Sequence, residues 1–183
     1  MRLVLIGMRG SGKTTLGAAL AAARGWRFVD LDVVTLEELG ARSVAEAWSR
    51  AGEAGFREAE SRALVRAVED DPDILGLGGG TPTSPAAQAV IQGIKDRRGA
   101  RARVVYLRGA PGVLAARVRA SGDPDRPRLV GASVEEEMEE VYAARDPLYL
   151  SLADAVMDVT DQTVEAGVLG LGIIAERAAG VGG

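Results

Sequence analysis

The chain has neither cysteine nor histidine among its 183 residues. Those absences together exclude disulfides, thiol nucleophiles, imidazole bases and Cys/His zinc sites. Any metal must sit on oxygen ligands, which favours magnesium or calcium. Any general base must come mainly from Asp, Glu, Lys or Tyr. Asparagine is absent too, so the Asn-Lys-x-Asp pattern by which GTPases read guanine cannot exist here. Lysine occurs only as Lys13 and Lys95, every other basic side chain being arginine. No apolar run approaches the roughly 18 residues of a membrane helix. The opening MRLVLIG lacks the length and cleavage region of a secretory leader. A net charge of -4 and a pI near 5.0 lack the basic footprint of a duplex-binding protein. A cytoplasmic protein with no nucleic-acid or membrane partner is expected.

What is present fits one globular domain over residues 1–183, with a hydrophobic content of 47%. RLVLIG, ended by glycine, reads as a buried strand, and KTTLGAALAAARG as a helix stopped by Gly25. RFVDLD reads as a second strand ending in acids. Residues 31–68 carry helical periodicity broken near Gly40 and Gly52, with Ser43 and Glu46 as a capping box. DILGLGGG is a third strand running into three glycines, and RVVYL a fourth. Helices are expected over 84–97, 110–119 and 162–178, and AVMDV reads as a fifth strand. SVEEEMEEVYAARDPLYLSLA reads as a helix broken near Pro147. Alternating strands and helices imply a parallel sheet covered on both faces, with ligands outside the carboxyl ends of its strands.

Gly7-Met8-Arg9-Gly10-Ser11-Gly12-Lys13-Thr14 fits G-x-x-x-x-G-K-[ST] in full, between a strand and a helix. Glycines let the backbone curl so that its N–H groups face phosphate oxygens, and the helix adds its positive end. Lys13 bridges the β- and γ-phosphates in this reading, and the Thr14 hydroxyl ligates magnesium. A chain that otherwise selects arginine keeps lysine where a compact point charge is wanted.

Four further stretches admit two readings each. Asp30 and Asp32, at the end of the second strand, either divide metal binding and proton acceptance or simply cap the next helix. Glu53, Arg57 and Glu60 share a helix face beside Phe56, as a site or as solvated ion pairs. The glycines at 78–80 allow close approach of a ligand or form a flexible turn. Arg117, Arg119, Arg126 and Arg128 surround a Pro/Gly-rich loop that is either a closing lid or mobile surface. With GTPases excluded, small-molecule kinases remain the best class.

The ordered set G-x-x-x-x-G-K-T, DLD, GFRxxE, LGGG, DRPRL and ARDPLY resembles shikimate kinase over about residues 3–160. The resemblance implies an α/β, three-layer α/β/α P-loop kinase fold with a five-stranded parallel sheet. It also implies a substrate-binding helical region at 31–68 and a lid at 117–131. It implies ATP and Mg2+ as cofactors, shikimate as the small-molecule partner, phosphorylation of its 3-hydroxyl in aromatic amino acid biosynthesis, and a monomer. ATP would be held by Gly10, Ser11, Gly12, Lys13, Thr14 and Thr15, with Arg119 over the adenine and Arg126 on the phosphates. Thr14 would ligate magnesium, with Asp30 behind a water. Asp32 would bind the ring hydroxyls and orient or deprotonate the attacking one, so that Asp32, Lys13 and Arg126 form the catalytic set. Arg57 and Arg145 would hold the shikimate carboxylate. Gly78, Gly79 and Gly80 would touch the ring hydroxyls, Trp48 and Phe56 would wall the pocket, and Glu60 would steady Arg57. Two positions depart from the family pattern: Arg128 stands where an apolar residue is usual, and Trp48 where another aromatic is commoner. A kinase for another hydroxy acid such as gluconate, and a non-catalytic nucleotide-binding module, are the alternatives.

Overall fold

Leu3, Val4, Leu5 and Ile6 form β1 and have no solvent exposure, because both faces of this strand are covered. The computed structural model describes residues 1–121 and 133–179. β3 (Ile74–Gly76) and β4 (Arg103–Arg108) flank β1, and Leu3 lies opposite both Ile74 and Arg103. β2 (Phe28–Asp30) pairs outside β3, and β5 (Ala155–Asp158) outside β4. The order is β2-β3-β1-β4-β5, with every pair parallel.

Strand alternation sorts the side chains into two cores. Leu3, Leu5, Val105 and Leu107 meet Leu16, Leu20, Leu171 and Ala175 from α1 (Lys13–Arg24) and α7 (Val164–Ala179). Val4, Ile6, Val104 and Tyr106 face the other way. There they pack on α3 (Val44–Glu69), α4 (Pro85–Arg98), α5 (Pro111–Ala120) and α6 (Val134–Leu152). The expected three-layer α/β/α sandwich with five parallel strands is the observed fold.

Two local expectations need correction. Asp32 does not belong to the second strand: the chain turns at once into α2 (Leu31–Leu39), with Asp30 as its N-cap and Asp32 in its first turn. The buried Leu31 side chain and the bond from the Asp32 N–H to Asp30 Oδ1 (3.0 Å) start the helix there. Pro147 does not break α6, which runs through it. A proline inside a helix costs about 3 kcal/mol, since it removes an N–H and crowds the preceding turn. Tertiary bonds from Arg145, Asp146 and Tyr149, on both sides of the proline, offset that cost.

The interruption at Gly52 is real: its φ of 68° and ψ of 176° split α3. The capping box at its start is altered. Ser43 accepts from the Glu46 N–H, while the Glu46 carboxylate accepts from the Arg42 N–H. A complete box forms at α6 between Ser133 and Glu136.

Candidate active site

The carboxyl ends of β1, β2 and β3 bring together the phosphate loop, the two acids and the glycine turn, where ligands of such sheets are expected. α1 starts at Gly12, whose φ of 86° favours glycine, and no side chain caps the helix. Such a helix start presents main-chain N–H groups, and the helix dipole favours an anion there. The Lys13 ammonium lies back across the loop, donating to the Gly7 and Met8 carbonyls at 2.9 Å each. Thr14 donates to Asp30 Oδ2 at 2.6 Å. Asp30 thus caps α2 with one oxygen, as the capping reading expected, and holds Thr14 with the other.

A cavity of about 460 Å³ opens over this loop. Its wall includes Gly10, Ser11, Gly12, Lys13, Thr14, Thr15, Asp30 and Asp32, and its far side Arg117, Gln162 and Thr163. Arg119 is not on that wall; its guanidinium pairs with Glu135 at 2.7 Å. Arg117 does line it, anchored by bonds to the Val159 and Thr160 carbonyls at 2.8 and 3.1 Å. Arg126 and Arg128 lie outside the described residues, as does most of the expected lid.

A second cavity of about 100 Å³ is lined by Asp32, Trp48, Phe56, Arg57, Glu60, Gly78, Gly79, Gly80, Arg145 and α6 residues including Glu137 and Met138. Trp48 and Phe56 rings lie 6.0 Å apart, with the Arg57 guanidinium 6.0 and 5.8 Å from them. Arg57 donates to Glu60 Oε2 at 2.8 Å, and the buried Thr81 hydroxyl donates to Glu60 Oε1 at 2.7 Å. These are not solvated decorations: the Glu60 side chain is only 4% exposed.

The glycine turn is not a flexible hinge but a crowded junction. A methyl at Gly78 would lie 2.6 Å from Asp32 Oδ1, and one at Gly80 2.8 Å from Arg57 Nη2. A methyl at Gly79 would press on the phosphate loop backbone, 3.3 Å from the Arg9 nitrogen. The Gly79 carbonyl accepts from Arg145 Nη1 (2.8 Å) and from the Tyr149 hydroxyl. Burial pushes the Tyr149 phenol up to about 12 although Arg145 pulls the other way, so it remains a donor at neutral pH.

Behind this, Asp146 accepts from the Tyr106 hydroxyl (2.9 Å) and from both ends of the Arg108 fork (2.8 and 2.9 Å). Burial raises the Asp146 carboxyl, but the Arg108 and Tyr106 hydrogen bonds more than offset it and hold the carboxyl below its ordinary value. The Tyr106 and Tyr149 rings meet edge to face at 5.4 Å. Thr81, Tyr149, Arg117 and Arg9 were not singled out from sequence for these places. The first two immediately follow or end motifs that were, LGGG and ARDPLY.

Asp32 is therefore common to the walls of both cavities, together with Arg9, Gly79 and Val118. One cavity presents main-chain N–H groups and an ammonium, suited to a polyphosphate. The other presents Arg57, Arg145 and Asp32 beside the Trp48 and Phe56 rings, suited to a small acid bearing hydroxyls.

A family model described as shikimate kinase matches residues 9–171. A protein named shikimate kinase 2 from Yersinia enterocolitica is 38% identical over 164 residues, covering 89% of each chain. Its counterpart from Yersinia pseudotuberculosis is 40% identical over 161 residues, covering 86% of each. Among solved structures, shikimate kinase from Acinetobacter baumannii in complex with shikimate aligns with a TM-score of 0.78 at 28% identity, covering 97% of this chain and 92% of that one. Shikimate kinase from Aquifex aeolicus aligns over the whole of both chains with a TM-score of 0.77 at 26% identity.

Proposed function

The chain belongs to the shikimate kinase family, and from that premise we propose how its two cavities carry out ATP-dependent phosphorylation of shikimate at the 3-hydroxyl. The larger cavity takes ATP. The loop amides, Lys13 and the start of α1 receive its phosphates, Lys13 exchanging its carbonyl partners for phosphate oxygens. Arg117 borders the same space and takes the contact first expected of Arg119. Thr14 and Asp30 offer two oxygen donors, which fits a magnesium ion that draws its other ligands from phosphates and water. Such an ion would neutralise charge on the phosphates being transferred.

The smaller cavity takes shikimate. Arg57 and Arg145 receive its carboxylate, with Glu60 fixing Arg57. Trp48 and Phe56 bound the ring, and the backbone at Gly78–Gly80 approaches the hydroxyls. Asp32 accepts a hydrogen bond from the attacking hydroxyl and takes its proton as the new bond to the γ-phosphorus forms and the bond from that phosphorus to the bridging oxygen breaks, ADP leaving with the bridging oxygen. Arg126 completes the charge stabilisation in this reading.

The observation that carries this reading is the position of Asp32 on the wall of both cavities. A module that only binds nucleotide needs no carboxylate facing a second pocket. The test is a coupled ADP-release assay with shikimate, with gluconate and with no acceptor. ADP release that depends on shikimate is expected. Equal release without an acceptor would make this an ATPase, and release with gluconate alone would move the acceptor to another hydroxy acid.

A further inference from the structure

We propose that Thr81 is a positioning residue of the acceptor site: its hydroxyl locks the Glu60 carboxylate so that Arg57 is aimed at the substrate's carboxylate. This rests on the reading of Arg57 as the partner of that carboxylate. A carboxylate has two oxygens to satisfy, and a buried one is costly unless both are hydrogen-bonded. Glu60 divides its oxygens between two donors. Oε2 accepts from Arg57 and Oε1 from Thr81. Thr81 is itself 1% exposed, so water does not stand in for its hydroxyl.

Thr81 opens the 3-10 turn Thr81–Thr83, and its own N–H donates to the Gly78 carbonyl at 3.1 Å. The hydroxyl therefore ties α3, which carries Arg57 and Glu60, to the glycine turn that contacts both cavities. Its proton is spent on Glu60. Around the bare Gly78 position, Asp32 Oδ1, Thr81 Oγ1 and Glu60 Oε1 converge, at 2.6, 2.8 and 2.9 Å from where a methyl would stand. Two carboxylates thus crowd one backbone position. The Thr81 donor satisfies the Glu60 oxygen nearest that position, leaving the other oxygen for Arg57 and keeping Glu60 from competing with Asp32 for a hydroxyl. With that donor removed, Glu60 is free to rotate and release Arg57.

The test is steady-state kinetics of Thr81→Val, which keeps the shape and removes the donor. The KM for shikimate should rise about tenfold, the loss of one hydrogen bond to a charged group. kcat and the KM for ATP should stay within about twofold. Because Thr81 acts through Arg57, adding Thr81→Val to Arg57→Ala should change the shikimate KM less than about twofold. Thr81→Ser restores the hydroxyl and should restore the KM, and it serves as the second variant if the valine protein does not fold. An unaltered shikimate KM in Thr81→Val, a fully additive effect in the Arg57→Ala background, or a Thr81→Ser protein that folds but is no better than Thr81→Val would each overturn the assignment. If the parent itself releases no ADP with shikimate, the functional reading fails instead; an active parent with an indifferent Thr81 fails only this one.

Discussion

Lys13 and Arg57 show why the two kinds of cation are not exchangeable here. The Lys13 ammonium fits between two main-chain carbonyls at 2.9 Å, a space for a compact point charge and not for a planar fork. Lys13→Arg should therefore weaken ATP binding about tenfold or more, measured by calorimetry on the acceptor-free protein. Arg57, in the role proposed for it, has the opposite requirement, two parallel donors for a carboxylate. The glycines separate the two halves of the site further. Gly80→Ala drives a methyl against the Arg57 guanidinium and should raise the shikimate KM about tenfold. Gly78→Ala drives one against the Asp32 carboxylate and should lower kcat by a similar factor. The reverse pattern would exchange the roles given to Arg57 and Asp32. The motif residues were legible in the sequence because each carries its own local signature. Thr81 was not, since its role depends on Glu60, which lies in α3 and reaches it only through the fold.

α6 is the element whose behaviour sequence reasoning missed. Pro147 signals a break, and the helix continues because its neighbours are bonded to β4 and to the glycine turn. Those partners are distant in sequence, so no local pattern reports them. Tyr149→Phe removes one of two donors to the buried Gly79 carbonyl. It should lower unfolding free energy by about 1 kcal/mol in urea titration. Asp146 gives the element a pH signature. Its carboxyl is held below the ordinary 3.8, so the stability it contributes is present above that value and is lost as pH falls through the lower folded-state value. Asp146→Asn should flatten that part of the acid unfolding profile; a profile as steep as the parent's would show that the Arg108 pair contributes nothing there. The end of the second strand, read as reaching Asp32, was misplaced for a different reason. DLD alternates as a strand does, and only the burial of Leu31 converts it to a helix turn.

A parallel sheet with a core on each face was legible from the alternation of strands and helices and from the apolar runs, whereas the order of its strands was not. What the sequence could not show was that the two cavities meet at Asp32, beside Arg9, Gly79 and Val118. That meeting needs β2 and β3 side by side, so that Asp32 faces Gly78 across the junction. None of the described helices is long and apolar enough to cross a membrane. Asp32→Asn tests this arrangement most directly, with ATP affinity and shikimate-dependent ADP release measured on the same protein. The geometry predicts turnover at least about a hundredfold lower with ATP affinity within a few-fold of the parent. Near-parental turnover would contradict it.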